Sequence, residues 1–120
     1  MREDRRRLLD ILEAVERIEK YAAEGREAFA ADELIQTWIV HHLQIIGEAV
    51  RHLSPELRGQ YPEIPWLEII GMRNILVHRY FGIDRDTTWN VVENDLPYLK
   101  KSISQMLAES GDERDTKPLA

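Results

Sequence analysis

The chain contains no cysteine, which excludes disulfide frameworks, thiolate zinc sites and cysteine nucleophiles. It also has no run of about 18 apolar residues, the length a membrane-spanning helix needs. The opening stretch, MREDRRRLLD, is charged and lacks the apolar segment and small-residue cleavage site of a secretory signal. A cytoplasmic protein is the simplest expectation. Neither a Walker-type glycine-rich loop nor a G-x-S-x-G elbow is present, so ATP binding by this chain alone has no support. His41, His42 and His52 form no His-x-x-x-His pair on one helix, and no Glu-x-x-His pairs occur on two helices. No metal and no other cofactor is therefore expected. Basic charge is also short: 16 Lys and Arg stand against 22 Asp and Glu, a net charge of −6. That balance disfavours a broad electrostatic grip on nucleic acid but leaves room for a local basic cleft. Arg2, Arg5, Arg6 and Arg7 form one cluster, read as a solvated first turn. Arg73 and Arg79 form another.

What remains is helical. With 120 residues, 43% of them apolar, the chain has the size and composition of one globular domain with one core. We assign that domain to residues 1–109 and a flexible tail to residues 110–120. Leu8, Ile11, Leu12, Val15, Ile18 and Ala22 recur at three- and four-residue steps, predicting a helix from Arg5 to Ala23 that stops at Gly25. A second helix is predicted from an Asp32 cap to Leu53, with a broad apolar seam that includes Trp38, Leu43, Ile46 and Val50. Ser54-Pro55-Glu56 restarts a short helical turn. The prolines of Tyr61–Pro65 predict extended chain there. A third helix is predicted from Pro65 through Tyr80, closed by Gly82. The fourth starts at Asp84 or Asp86, runs to Glu109 with Val92, Leu96, Leu99, Ile103 and Met106 on one seam, and bends at Pro97. Antiparallel helices with short connections make an all-α, up-and-down bundle of four main helices plus a short one.

The third helix carries an anomaly. On a single helical wheel, Arg73 falls in the middle of an apolar arc, with Ile69 and Tyr80 within about 40° on one side. An arginine buried without a partner costs several kcal/mol. Arg73 therefore needs an acid such as Glu48, a carbonyl cluster, an anionic ligand, or an interface that water or substrate reaches. Asn74 and His78 form a second line beside it. His78 in a last helical turn would sit where the dipole favours imidazolium, while Arg73 opposes that. A histidine so balanced can exchange a proton near neutral pH, and a guanidinium can offset charge on a phosphorane. Cleavage of RNA through its own 2′-hydroxyl asks for that division of labour.

Arg73-Asn74-Ile75-Leu76-Val77-His78-Arg79-Tyr80 resembles the Arg-x-x-x-x-His-x-Tyr motif of the HepT-like toxins, within the HEPN superfamily of all-helical ribonucleases. Ile45-Ile46-Gly47-Glu48-Ala49, Pro65-Trp66, Gly71-Met72-Arg73-Asn74, Tyr80-Phe81-Gly82-Ile83-Asp84 and the Asp95-Leu96-Pro97 step look like the same family. The likeness covers roughly residues 5 to 107. It implies a metal-independent endoribonuclease that acts as a homodimer on tRNA or mRNA, with Arg73 and His78 as the catalytic pair. Asn74 is the polar neighbour, and Glu48 a supporting acid. The resemblance further implies a toxin–antitoxin system in which an MntA-like nucleotidyltransferase transfers AMP to Tyr80 and silences the toxin. The alternative is a non-enzymatic subunit that positions a nucleotide or a partner in a nucleotidyltransferase complex.

Overall fold

The computed structural model describes the backbone of residues 2–78 and 82–116 and the side chains of residues 3–77 and 82–109. The central element is helix α3 (Glu33–Arg51), and its register is set at its first residue. Asp32 is extended, and its Oδ1 accepts hydrogen bonds from the Leu34 and Ile35 amides at 2.8 and 3.4 Å. Two otherwise unpaired helix-end donors are thereby satisfied. Helix α1 (Arg2–Ala22) packs along one side of α3. Its Leu8, Ile11, Val15 and Ile18 meet Ile39, Leu43, Ile46 and Val50 in one buried cluster. Helix α8 (Leu96–Thr116) closes against α1 with Leu96, Leu99, Ile103 and Met106 on that cluster. Its last turns run past Glu109.

The connections are short and capped. Helix α4 (Pro55–Gln60) starts at Ser54, whose Oγ accepts from the Leu57 amide. The same hydroxyl donates to Asp4 Oδ2 at 2.6 Å, and the Ser54 amide donates to Asp4 Oδ1 at 2.8 Å. Asp4 is buried, and these two bonds satisfy a carboxylate that could not otherwise leave water. A further short helix, α2 (Arg26–Ala31), has no counterpart in the sequence prediction. It holds Phe29 in the core against Trp89, ring centres 5.3 Å apart. Six residues carry too little periodicity to announce a helix.

Three expectations change. Tyr61–Pro65 is a pair of turns rather than extended chain, with the Ile64 amide bonded to the Tyr61 carbonyl at 3.1 Å and Ile64 buried. Proline forbids the helix but not a turn.

The single third helix is instead two short ones, α5 (Trp66–Ile70) and α6 (Met72–Leu76), broken at Gly71 (φ −85°, ψ 4°). The chain then leaves the helix: Val77–His78 (β1) pairs antiparallel with Gly82–Ile83 (β2). The Asp84 amide takes the Leu76 carbonyl at 2.7 Å, so that carbonyl bonds across the hairpin rather than up a helix. β-Branched Val77 and Ile83 favour the strand. Gly82, at φ +77°, serves this hairpin and is not a helix cap.

In the fourth helix the break lies just ahead of Pro97. Helix α7 (Arg85–Asn90), capped by the Asp84 side chain on the Thr87 amide, passes into a π-helical turn over Val91–Asp95 before α8 begins. The Leu96 amide reaches back five residues to the Val91 carbonyl. Proline has no amide to give and its ring crowds the carbonyl four residues earlier, so a widened turn replaces the simple bend.

Candidate functional site

The close approach of α5 to α3 builds the site. Gly47 is buried on α3, and a Cβ at that position would stand 3.1 Å from the Ile69 carbonyl oxygen and 3.5 Å from that of Ile70. A glycine lets the two backbones meet at this distance without displacing that carbonyl. Gly71 then ends α5, and the Asn74 amide bonds back to the Gly71 carbonyl at 3.1 Å, opening α6 directly over α3. This juxtaposition leaves a cleft of about 240 Å³ between α3 and the α5–α6 corner. Its walls bring together Gln44, Glu48 and Arg51 of α3 with Arg73 and Asn74 of α6.

Arg73 is exposed at the mouth of this cleft rather than buried in an apolar arc. The break at Gly71 invalidates a continuous wheel, so no buried charge demands a partner. Asn74 and Glu48 are exposed as well. Among the described residues neither Arg73 nor Glu48 makes an ion pair. Arg73 is thus a guanidinium with no ion pair among the described residues, in a cleft that also holds an amide and a carboxylate, an arrangement able to receive two oxygens of an anion bidentately. Arg51 was not singled out from the sequence. It follows the polar line of half-buried Gln44 and exposed Glu48 on α3, and that spacing is the signal for it.

His78 lies in β1, its backbone paired with Gly82. It is not in the last turn of a helix, so the dipole contributes nothing there. The side chain of His78, and all of Arg79 and Tyr80, lie outside the described residues.

A second opening runs beside the first. A groove of about 800 Å³ separates the outer faces of α1 and α3, and it shares Gln44 and Glu48 with the cleft. His42 is buried on its floor. Its Nδ1 donates to the Trp38 carbonyl at 2.8 Å, and its ring lies against the Trp38 indole at 4.4 Å. The Trp38 indole N–H in turn donates to the Arg17 carbonyl at 2.8 Å. No helix among the described residues is long and apolar enough to cross a membrane.

The comparisons with known proteins agree with this architecture. A family profile described as "Ribonuclease HepT-like" matches residues 11–106. A Methanocaldococcus jannaschii protein named "Gamma-glutamylcyclotransferase and putative RNase" is 39% identical over 108 residues, covering 89% of this chain and 49% of that protein. The chain therefore spans about half the length of that relative. A "Putative RNase" from the same archaeon is 37% identical over 97 residues, covering 80% of this chain and 89% of its own length. The "Probable ribonuclease HepT" of Thermococcus cleftensis is 39% identical over 100 residues, covering 82% of this chain and 91% of its own. No solved structure matches. Spanning nearly all of the α1–α3–α8 core and the motif-bearing corner packed on it, these matches show that the chain belongs to the HepT-like ribonuclease family.

Proposed function

We propose that this chain is the toxin of a toxin–antitoxin pair, a metal-independent endoribonuclease that cleaves tRNA or mRNA through the substrate's own 2′-hydroxyl. The observation that carries this reading is the exposed Arg73 guanidinium, without an ion pair among the described residues, in a cleft it shares with Asn74 and Glu48. Attack of the 2′-oxygen on phosphorus forms a phosphorane, and the 5′-oxygen then leaves. The products are a 2′,3′-cyclic phosphate and a 5′-hydroxyl. Arg73 offsets the added negative charge. His78 takes the 2′-hydroxyl proton or returns one to the leaving oxygen. Asn74 and Glu48 orient the arginine and the scissile phosphate.

The active form is a homodimer in which the motif corners of two protomers face one cleft. Leu67 on α5 and Ile75 on α6 are 79% and 54% exposed in the single chain. Large apolar side chains on both segments of the motif corner support a covered surface there. Neutralisation comes from an MntA-like nucleotidyltransferase that transfers AMP to the Tyr80 hydroxyl, releasing pyrophosphate from ATP. The added phosphodiester is an anion and would compete with RNA for Arg73.

Purified wild type should cleave RNA and arrest growth when expressed. Arg73→Ala and His78→Ala should each lose both by at least a hundredfold, as expected for loss of a charge-stabilising or proton-transfer group. Retention of wild-type cleavage by both variants would sink the mechanism. Tyr80→Phe should escape neutralisation by antitoxin and ATP while keeping its nuclease activity.

A further inference from the structure

We propose that the α1–α3 groove is a base-reading subsite for the single-stranded nucleotides that flank the scissile phosphate. The proposal rests on the ribonuclease reading of the adjoining cleft. An RNA chain seated on Arg73 must leave that cleft, and the wall it meets is Gln44 and Glu48, which also line the groove. At about 800 Å³ the groove falls within the range of sites that hold a small ligand. Small buried side chains line both of its walls, Ala14 on α1 and Ala49 on α3.

The chemistry of the lining selects the mode of binding. Arg7 and Arg17 share the α1 wall with Asp10 and Glu13, Glu48 lies on the α3 wall, and Arg17 is already 3.7 Å from Glu13. A lining with more acids than arginines cannot hold a polyphosphate by charge alone. It can read bases. Carboxylates accept from exocyclic amino groups, and the Gln44 amide both donates and accepts. Single-stranded RNA is recognised in this way, with unstacked bases laid on flat side chains.

His41 supplies that flat side chain. It is exposed at the groove and stands edge-on to the buried His42, ring centres 5.1 Å apart and planes at 87°. His42 is itself fixed by its bond to the Trp38 carbonyl and by its contact with the Trp38 ring. The platform thus rests on packed core. His52 at the far end is held likewise, its Nδ1 donating to the Glu48 carbonyl at 2.9 Å.

The test is binding of fluorescein-labelled single-stranded oligoribonucleotides, from two to ten nucleotides long, to full-length His78→Ala protein, which keeps the Arg73 guanidinium. A stacking contact is commonly worth one or two decades in affinity. Adding His41→Ala should weaken binding of the longer oligonucleotides about tenfold and leave the dinucleotide unchanged. His41→Phe should restore most of the loss, because it keeps the flat face. Asp10→Asn should change the base preference more than the affinity. Equal affinity of the His41→Ala and parent proteins for every length would overturn the subsite. So would a fall in oligomeric mass on His41→Ala, which would make the groove a seam between copies. Binding that depends on His41, in a protein whose wild type cleaves nothing, would sink the nuclease and keep the subsite. Cleavage that ignores His41 would do the reverse.

Discussion

Arg73 and Gly47 bear most of the weight at the scale of single residues. A continuous helical wheel places Arg73 among apolar neighbours, yet it is exposed at a cleft mouth. No burial penalty holds it in place, and its interest lies in being unpaired among the described residues beside Asn74 and Glu48. Gly47 has no visible helical role in the family-like stretch that carries it, but its missing Cβ sets the distance between α3 and α5. Gly47→Ala gains about 0.5–1 kcal/mol of helix propensity. It also pushes a methyl to 3.1 Å from a backbone carbonyl that no rotamer can move, and overpacking of this kind costs about 1–3 kcal/mol. The clash wins. Thermal or urea unfolding should show a net loss of about 1 kcal/mol, and cleavage should fall with it because α6 carries Arg73. A variant as stable and as active as wild type would show that the close approach is not needed.

The elements show which signals a sequence carries well. Long amphipathic faces were legible: the α1 and α8 seams and the broad apolar face of α3 are the observed core. Caps were legible too, since Asp32, Ser54 and Asp84 each accept amide bonds with a side-chain oxygen. Replacing Asp32 with Ala should cost about 1 kcal/mol in chemical denaturation, whereas Asp32→Asn should cost much less. Equal losses for the two would show that charge, not capping, is what Asp32 supplies. Short and broken elements were not legible. Apolar spacing across Gly71 reads as one helix, because three- and four-residue steps survive a one-residue interruption. A two-residue strand has no periodicity at all. The π turn ahead of Pro97 was visible only as a proline that had to disturb something.

For the molecule as a whole, α3 organises both structure and chemistry. One side of it is core against α1. Another receives α5 and α6 through Gly47. The part left uncovered, from His41 past Gln44 and Glu48, joins the Arg73 cleft to the α1–α3 groove. The net charge of −6 fits this layout: RNA would be held at a local guanidinium and by its bases, not by a broad positive field. The salt dependence of RNA binding should accordingly be shallow, with a log–log slope of about −0.7 to −1.4, which corresponds to one or two phosphate contacts on a single strand. A slope near −6 would point to a basic face, which the cleft and groove among the described residues do not present.

The most direct measurement is the chemistry of the product ends. Purified wild-type protein is incubated with a single-stranded RNA in excess EDTA, and the fragments are analysed by mass spectrometry. The account predicts cleavage without divalent metal, fragments ending in 2′,3′-cyclic phosphate and 5′-hydroxyl, and loss of both when Arg73 is replaced by Ala. Cleavage abolished by EDTA, or fragments ending in 3′-hydroxyl and 5′-phosphate, would contradict it.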